Sequence, residues 1–409
     1  MKLHLTGPPK KHFKKAITIT GSKSESNRCL LLSALYPAVT IENSSNSDDA
    51  EVMGKGLKIT KGTVDIHHAG TAMRFLTGYF ASQEGKEVVL TGSKRMTERP
   101  IQILVDALKS LGADISYVQD EGYPPLRIKG KRIVKDRVSL PANVSSQYIS
   151  SLLLIAPSLE NGLELELVGK ITSVPYIKMT LGLLEEIGVR TIFQGNSIKV
   201  YPQPSVTPKT LIVESDWSSA SYYYSIAALS APGTEITLTA YKKQSLQGDS
   251  VLSNIYTAFG VETLFGHNSI TLRKTEKPVP DHQEIDLSNA PDIAQTIAVS
   301  CFALGVGCFL TGLHTLKIKE TDRLVALDVE LSKLGAAISV TDNSLTILPS
   351  KTINTNVAVD TYKDHRMAMA FAPLAMKVPL VINEAEVVSK SYPDFWKDLE
   401  QLHFGITEL

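Results

Sequence analysis

Cysteine is scarce in this sequence, with three copies among 409 residues. Cys29, Cys301 and Cys308 all stand in apolar surroundings, and their spacing does not match that of metal ligands. A sparse, odd-numbered set of this kind predicts neither a disulfide framework nor a zinc site, and it favours a reducing compartment.

The sequence also lacks an excess of either charge. Lys plus Arg and Asp plus Glu each number 42, which gives a formal net charge of zero. A protein that binds nucleic acid through its overall field is therefore not expected, and any anion site must arise from local clustering of cations.

Long apolar runs are missing as well. The lysines at positions 10, 11, 14 and 15 have no apolar run behind them, so no signal peptide is predicted. The most apolar stretch, residues 293–310, is interrupted by polar residues and glycine, whereas a membrane span needs roughly 20 mostly apolar residues. This stretch predicts a buried helix followed by a strand. We expect a cytoplasmic protein with no membrane partner, and the chain length predicts two domains.

A repeated pattern organises the chain: an amphipathic helix ends in glycine, and alternating segments follow it. The clear copies carry the marker glycines Gly112, Gly188, Gly260 and Gly335. Their spacing of roughly 70 to 76 residues suits an α/β unit of the type βαβαββ. Each glycine is expected just after its helix in the left-handed conformation. Weaker copies near Gly56 and Gly405 would make six units, in two groups of three.

Two features suggest where the chain divides. The proline-rich segment 201–209 closes one unit, and we place the boundary near Glu214 and Ser215. The first 20 residues contain a predicted strand, 16–20, but no helix. A lone strand must pair with a sheet, and the C-terminal half could supply it.

The stretch 319–323, Lys-Glu-Thr-Asp-Arg, is a candidate anion site. The alternation at 314–318 predicts a strand before it, and leucines spaced by three and four predict a helix from Leu324 to Leu334. Thr321 is the predicted N-cap. The N-terminus of a helix attracts anions, although a charge run by itself is usually a solvated turn.

Similar combinations of cations and hydroxyl residues precede several other predicted helices. They occur at residues 21–28, 69–74, 95–100, 145–147, 172–176, 364–366 and 389–391. One such feature would indicate helix capping, but repetition in most units favours anion binding. The cations, which together would define a positive cleft for a ligand with several negative charges, are Lys23, Arg28, Arg74, Arg99, Lys319, Arg323, Arg366 and Lys390. Asp292 and Glu320 are the candidate proton-transfer groups.

A metal site is not predicted. His67 and His68 are adjacent, and neighbouring side chains of a strand point to opposite faces. No further ligands stand nearby at a useful spacing, so we expect neither a metal nor another cofactor.

With these residues in place, the sequence resembles the 5-enolpyruvylshikimate-3-phosphate synthase family of enolpyruvyl transferases over almost its whole length. The motifs occur in the family's order at residues 21–24, 69–74, 95–100, 145–147, 291–292, 319–323, 364–366 and 390. The resemblance implies an α/β fold of two similar domains, each of three βαβαββ units (an inside-out α/β barrel), with the active site in the interdomain cleft. Residues 21–214 would form the N-terminal lobe, and residues 1–20 with 215–409 would form the C-terminal lobe.

The resemblance also implies a reaction between shikimate 3-phosphate and phosphoenolpyruvate, by a monomer that binds no nucleic acid. The implied catalytic residues are Asp292, Glu320, Lys319 and Lys23. The implied shikimate 3-phosphate residues are Lys23, Ser24, Arg28, Ser145, Ser146, Gln147, Ser173, Tyr176, Asp292, Thr315 and Lys319. The implied phosphoenolpyruvate residues are Lys23, Gly70, Arg99, Gln147, Arg323, Arg366 and Lys390. Arg74 is expected to support its own loop.

Glu320 presents a physical difficulty for this assignment. Because Lys319 and Arg323 flank it, its pKa should be lowered, which makes a poor acid at neutral pH. Our hypothesis is that the charges of the bound substrates offset those cations.

The chain departs from the family pattern at His68, Thr315 and Phe75. Two alternatives stay open at this point. One is the related transferase that acts on UDP-N-acetylglucosamine, which uses a reactive cysteine in a mobile loop, unlike the apolar settings of the cysteines here. The other is a non-catalytic module that binds anions or nucleic acid, against which the neutral overall charge argues.

Overall fold

The computed structural model describes residues 1–171 and 174–409. The chain forms two compact units: unit 1 comprises Met1–Thr20 and Glu214–Leu409, and unit 2 comprises Gly21–Val213. Glu214, predicted to end the N-terminal lobe, belongs to unit 1. Its buried carboxylate accepts hydrogen bonds from Trp217 Nε1, Lys242 N and Ser245 Oγ, all of unit 1.

The strands of unit 1 are β1 (Lys2–Thr6), β2 (Lys14–Ile17), β13 (Glu235–Thr239), β14 (Val261–Gly266), β15 (Ser269–Lys274), β16 (His282–Asp286), β17 (Gly307–Thr311), β18 (Ile338–Val340), β19 (Leu345–Ile347), β20 (Val357–Val359), β21 (Leu380–Asn383) and β22 (Gly405–Glu408). Its α-helices are α8 (Trp217–Leu229), α9 (Leu252–Ile255), α10 (Ala294–Leu304), α11 (Arg323–Lys333), α12 (His365–Phe371) and α13 (Phe395–Gln401).

The strands of unit 2 are β3 (Val39–Glu42), β4 (Lys61–Asp65), β5 (Glu87–Thr91), β6 (Asp114–Tyr117), β7 (Leu126–Lys129), β8 (Arg137–Pro141), β9 (Leu163–Val168), β10 (Thr191–Gln194), β11 (Ser197–Val200) and β12 (Lys209–Ile212). Its α-helices are α1 (Lys23–Leu35), α2 (Asp48–Leu57), α3 (Gly70–Ser82), α4 (Lys94–Thr97), α5 (Gln102–Leu111), α6 (Ser146–Ile155) and α7 (Val174–Glu186).

One strand topology recurs in the four-stranded sheets formed by the described residues. In the order β4-β5-β7-β6, the first pair is parallel and the other two pairs are antiparallel. The same pattern occurs in β8-β9-β11-β10, β2-β13-β15-β14, β16-β17-β19-β18 and β20-β21-β1-β22. The parallel pair β3 and β12 forms a two-stranded sheet. This repetition fits the predicted βαβαββ units.

The N-terminal segment pairs with the C-terminal half, as predicted. The predicted strand at 16–20 occupies Lys14–Ile17 and runs parallel to β13. β1 was not predicted; it lies between β21 and β22 and completes the last sheet.

The marker glycines lie where their repeats predict. Gly112, Gly188, Gly260 and Gly335 have φ angles of 108°, 89°, 75° and 98°, the left-handed region that favours glycine after a helix. The weaker copies were wrong in detail, because Gly56 lies within α2 and Gly405 begins β22.

Each unit has its own hydrophobic core, and its central helices are buried almost all round. In unit 2, α3 packs against α6. In unit 1, α8 packs against α10, where the apolar stretch 293–310 forms the predicted helix and strand. The sheets alternate buried and more exposed residues, as in β7, so one face of each covers the helices. This is the inside-out α/β arrangement. Among the described residues, no helix combines the length and the apolar character that spanning a bilayer requires.

Candidate active site

Charged side chains from separate segments of unit 1 lie together in what we term the carboxylate cluster. It comprises Asp292, Lys319, Glu320, Arg323, Asp364, Arg366 and Lys390. All except Asp364 were candidates from the sequence, although they are spread over almost 100 positions of it. The fold therefore brings together the predicted proton-transfer groups and the predicted cations of this unit.

Arg323, the first residue of α11, is at the centre of the carboxylate cluster and is 1% exposed. Its guanidinium donates from Nε to Asp364 (2.7 Å), from Nη1 to Asp292 (2.9 Å) and from Nη2 to Glu320 (2.9 Å). Burial lowers the pKa of Arg323, but the charges of Asp364, Glu320 and Asp292 outweigh this and raise the pKa overall. Arg323 therefore stays charged and fixes three carboxylates relative to one another.

Asp292 lies among three cations. Its Oδ1 contacts Arg323 and is 3.4 Å from Lys319 Nζ, and its Oδ2 is 3.4 Å from Arg366 Nη2. Arg366 also donates from Nη1 to the Asp292 carbonyl at 3.2 Å. Lys319 is the most exposed of these cations, so it is the one best placed to reach a ligand.

Glu320 contacts cations through both of its carboxylate oxygens. Oε1 accepts from Lys390 Nζ at 2.7 Å, and Oε2 accepts from Arg323 Nη2 at 2.9 Å. Its side chain keeps 17% of its surface exposed. The carboxylate is held in one orientation while its edge remains open to a reactant.

The start of α11 differs from the prediction. Asp322, not Thr321, is the N-cap, because its Oδ1 accepts from the backbone N–H groups of Leu324 and Val325. The predicted strand at 314–318 is a 3₁₀ helix, with Leu316 N bonded to Leu313 O. Its two apolar side chains do not share a face, since Leu316 is buried and Ile318 is 72% exposed. The candidate Thr315 lies in this helix, partly buried.

Sequence reasoning missed two acidic residues near this site. Asp364 is fully buried, caps α12 through Arg366 N, and binds Arg323. Asp249 is buried and accepts from Ser218 Oγ. Burial and the negative charge of Asp292 raise the pKa of Asp249 to about 7. The position of Asp364 before a helix was a capping signal, whereas Asp249 carried no signal that we recognise.

A second group of predicted residues lies in unit 2 and is termed the arginine cluster. It comprises Lys23, Arg28, Gly70, Arg74, Arg99 and Gln147, at or near the starts of α1, α3, α5 and α6. Lys23 Nζ lies 3.4 Å from Asp49 Oδ2, an ion pair that sequence reasoning missed. Gln147 Nε2 donates to Thr71 Oγ1 at 3.0 Å, which ties α6 to α3.

Arg28 is buried against neutral oxygens. It donates to Thr180 Oγ1 (2.8 Å), Ser150 Oγ (2.9 Å) and the Ser24 carbonyl (2.7 Å). Its guanidinium lies 5.3 Å from the ring centre of Phe75, one of the three positions at which this chain departs from the family pattern. Burial lowers the pKa of Arg28 to about 10, so the group is still a cation at neutral pH.

Arg74 supports its loop, as expected. It donates to the carbonyl of Gly70 at 3.3 Å and to that of Pro100 at 3.1 Å. Burial, with the charge of Arg99, lowers the pKa of Arg74 to about 10. These bonds fix the segment that carries Arg99, which stays partly exposed beside Gly70. A Cβ at Gly70 would lie 2.6 Å from Arg99 Nη1, so the glycine leaves room for this cation.

The remaining candidates of unit 2 that the structure describes lie at helix starts or in helices. Ser145 caps α6, accepting from Gln147 N, and Ser146 begins that helix. Ser24 follows Lys23 in α1 and is partly exposed, and Tyr176 is partly exposed in α7. Ser173 lies outside the described residues.

His67 and His68 lie in the turn after β4 rather than in a strand. Both line a cavity of about 240 Å³ with Asp48, Asp49 and Glu51. In the part of the chain that the structure describes, no set of three His, Cys, Asp or Glu side chains is arranged to hold a metal ion.

The carboxylate cluster has the features of an acid–base site, because two fixed carboxylates border the partly exposed Lys319. The arginine cluster has those of an anion site, because cations and backbone N–H groups meet at helix starts. With two inside-out α/β units, these features define a two-unit transferase-like enzyme that acts on anionic substrates.

The chain belongs to the EPSP synthase (3-phosphoshikimate 1-carboxyvinyltransferase) family, whose model matches residues 53–399. It is 46% identical over 400 residues to a 3-phosphoshikimate 1-carboxyvinyltransferase of Bacteroides fragilis, with 96% of each chain covered. It is 37% identical over 417 residues to that of Aliivibrio fischeri strain MJ11, with 94% of this chain and 96% of the relative covered.

Two solved structures share the fold. An EPSP synthase from Acinetobacter baumannii matches with a TM-score of 0.81 at 20% identity, over 100% of both chains. The enolpyruvyl transferase NikO from Streptomyces tendae matches with a TM-score of 0.74 at 14% identity, over 99% of this chain and 98% of that one. At these identities the likeness concerns the fold alone.

Proposed function

We propose that this chain transfers the enolpyruvyl group of phosphoenolpyruvate to the 5-hydroxyl of shikimate 3-phosphate and releases phosphate. The observation that carries the proposal is the geometry of Asp292 and Glu320, two carboxylates that Arg323 holds side by side in a member of this family. A reaction that moves one proton off a hydroxyl and another onto a carbon needs two such groups.

In the first step, Asp292 takes the proton of the 5-hydroxyl while that oxygen forms a bond to C2 of phosphoenolpyruvate. Lys319 bridges the hydroxyl and the carboxylate, which its position 3.4 Å from Asp292 Oδ1 supports. Glu320 gives a proton to the methylene carbon, which becomes a methyl group. The product of this step is a tetrahedral adduct that still carries the phosphate.

In the second step, the bond between C2 and the phosphate oxygen breaks, and phosphate leaves with the electron pair. The methyl group returns a proton to Glu320, and the new carbon–carbon double bond forms. Phosphate takes up the proton that Asp292 holds, so both carboxylates end in their starting state.

The cations proposed to bind the two substrates differ, except for Lys23, which is proposed for both. The residues proposed for shikimate 3-phosphate are Lys23, Ser24, Arg28, Ser145, Ser146, Gln147, Ser173, Tyr176, Asp292, Thr315 and Lys319. Those proposed for phosphoenolpyruvate are Lys23, Gly70, Arg99, Gln147, Arg323, Arg366 and Lys390. Both sets contain residues of the carboxylate cluster and residues of the arginine cluster.

Release of inorganic phosphate tests the function directly. The purified chain is mixed with phosphoenolpyruvate and either shikimate 3-phosphate or UDP-N-acetylglucosamine, and phosphate is measured against time. Release with shikimate 3-phosphate alone is the expected result. Release with the nucleotide sugar alone would assign the related transferase, which the buried setting of Cys29, Cys301 and Cys308 disfavours. Release with neither acceptor would support the non-catalytic anion-binding module instead.

Glu320→Gln tests the proposed acid. The variant keeps the side-chain shape but cannot deliver a proton, so kcat should fall by about 10² to 10⁴-fold. The matched control is Glu400→Gln at an exposed position, which should leave kcat unchanged. The pH–rate profiles of wild type and variant show whether a titrating group is lost with the carboxylate. Unchanged catalysis in Glu320→Gln would end the assignment.

We further propose that the enzyme acts as a cytoplasmic monomer. Three buried cysteines, a sparse and odd-numbered set, suit a reducing compartment. Light scattering during size-exclusion chromatography tests the oligomeric state, and a mass twice that of the chain would overturn it.

A further inference from the structure

A turn with unusual backbone geometry leads into α12. Tyr362 and Lys363 have φ angles of 54° and 56°, and Asp364 N closes the turn on the Thr361 carbonyl at 2.8 Å. Positive φ at both central positions defines a type I′ turn, which strongly prefers asparagine and glycine. A tyrosine and a lysine are unfavourable there, so other contacts must hold the turn.

The residues that follow this turn belong to the carboxylate cluster. Asp364 accepts from Arg323 Nε at 2.7 Å and caps α12 through Arg366 N at 2.9 Å. Arg366 in turn contacts both the carboxylate and the carbonyl of Asp292. The conformation of the turn therefore sets the direction from which Arg366 approaches Asp292.

Glu330 of α11 holds the turn from the other side. It is fully buried, and its Oε1 accepts from the Tyr362 hydroxyl at 2.6 Å. Its Oε2 accepts from Asp360 N at 3.2 Å, and Lys333 Nζ lies 2.9 Å from both oxygens. Glu330 follows Arg323 by seven positions, about two helical turns. Helix α11 therefore contacts the segment 360–366 at two separate points, through Arg323 and through Glu330.

We propose that the hydrogen bond from Tyr362 to Glu330 is a positioning contact for the transfer reaction, because it keeps the turn left-handed and thereby keeps Arg366 against Asp292. Tyr362 acts through Arg366 and is a positioning residue. The inference rests on the proposed function, in which Arg366 binds phosphoenolpyruvate.

The hydroxyl of Tyr362 is suited to this task over a wide pH range. Burial and its bond to the Glu330 carboxylate raise the pKa of Tyr362, so the hydroxyl remains a donor at neutral and moderately basic pH. Lys333 balances the charge of Glu330, which makes a buried carboxylate tolerable at this position.

Tyr362→Phe removes this bond and little else. We expect KM for phosphoenolpyruvate to rise about tenfold, and KM for shikimate 3-phosphate to stay within about twofold of wild type. Tyr224→Phe is the matched control in the same unit, because the Tyr224 hydroxyl forms a 2.7 Å hydrogen bond with Thr263 away from the carboxylate cluster. Both KM values of the control should stay close to wild type. If Tyr362 had a merely structural role, Tyr362→Phe would change the KM values for both substrates alike.

Lys363→Gly in the Tyr362→Phe background provides a rescue, because glycine adopts a positive φ without steric cost. The double variant should recover most of the affinity for phosphoenolpyruvate. If Tyr362→Phe does not fold, recovery of folding and activity in the double variant supports the proposal that this bond stabilises the turn. If the double variant recovers neither, the proposal is wrong.

The inference is wrong if Tyr362→Phe behaves like Tyr224→Phe, if both KM values rise together, or if glycine at 363 rescues nothing. The proposed function fails separately, because a wild-type chain that releases no phosphate overturns the function before any variant is compared.

Discussion

Arg28 and Arg323 illustrate two ways of burying a guanidinium in this molecule. Arg323 contacts three carboxylates, whereas Arg28 donates hydrogen bonds to hydroxyl and carbonyl oxygens. Burial lowers the pKa of Arg28 to about 10, and the group remains a cation at neutral pH. In the arginine cluster, the partly exposed cations Lys23 and Arg99 are the ones that can reach an anionic substrate, while the carboxylate cluster offers fixed acids and bases.

Gly70→Ala should impair substrate binding more than it impairs stability. The added methyl group would lie 2.6 Å from Arg99 Nη1, so the flexible Arg99 side chain must move. We expect KM for phosphoenolpyruvate to rise by about tenfold or more, because Arg99 is proposed to bind it. The melting temperature should change little, since alanine favours the helix that begins here. An unchanged KM would show that Arg99 does not act from this position.

Asp249→Asn should make stability less dependent on pH. The pKa of Asp249 is raised to about 7 in the folded state, against roughly 3.9 in an unfolded chain. Because the folded state holds this proton more tightly than the unfolded state, protonated Asp249 adds to the free energy of unfolding, in full below about pH 4. This stabilisation is lost as the pH rises through about 7. The melting temperature of the variant, relative to wild type, should increase between pH 4 and pH 8. Calorimetry at several pH values checks this, with exposed Asp120→Asn as the control. Parallel curves for wild type and Asp249→Asn would contradict it.

Among the elements, those with a local signal were predictable. The glycines after α5, α7 and α11 occupy left-handed positions that the chain needs at those helix ends, so their spacing revealed the repeat. The strand expected at 314–318 failed because five alternating residues also fit a 3₁₀ turn. β1 has only two apolar residues, and its partners lie at the other end of the chain, so nothing local marked it.

The same limit applies to the candidate site. Lys319, Glu320 and Arg323 were found because they crowd into one short stretch, and Arg366 and Lys390 because they stand near predicted helix starts. The family resemblance then implied the role of each residue. Asp364 was missed as an ion-pair partner because Arg323 lies 41 positions away. Sequence spacing cannot show such a contact, because only the fold brings the start of α11 to the N-cap of α12.

Leu5→Ala tests how much unit 1 depends on β1. Leu5 is fully buried between β21 and β22, and removing its side chain should lower the free energy of unfolding by about 2 to 5 kcal/mol. Leu409→Ala is the matched control in the same region, since Leu409 is 70% exposed. Denaturant unfolding curves provide the comparison. Equal, small losses in both variants would show that β1 contributes little to the sheet.

At the scale of the whole molecule, the two units differ in how the chain builds them. Unit 2 is one continuous segment, Gly21–Val213, with a core of its own. Unit 1 is discontinuous, because β1 and β2 come from the N-terminus and complete two of its sheets. A continuous segment with its own core can fold independently. The segment Glu214–Leu409 cannot complete the sheets of unit 1 without the strands that Met1–Thr20 supplies.

A fragment of residues 21–213 should therefore fold alone and unfold cooperatively, whereas a fragment of 214–409 should not, since it lacks β1 and β2. Circular dichroism melts and dispersed NMR spectra of the two fragments test this. Because the first fragment keeps Lys23 and Arg28 but lacks Asp292 and Glu320, it should bind shikimate 3-phosphate weakly in calorimetry and release no phosphate. A fragment 21–213 that melts without a transition would show that unit 2 needs unit 1 to fold. Phosphate release by that fragment would remove the carboxylate cluster from the reaction.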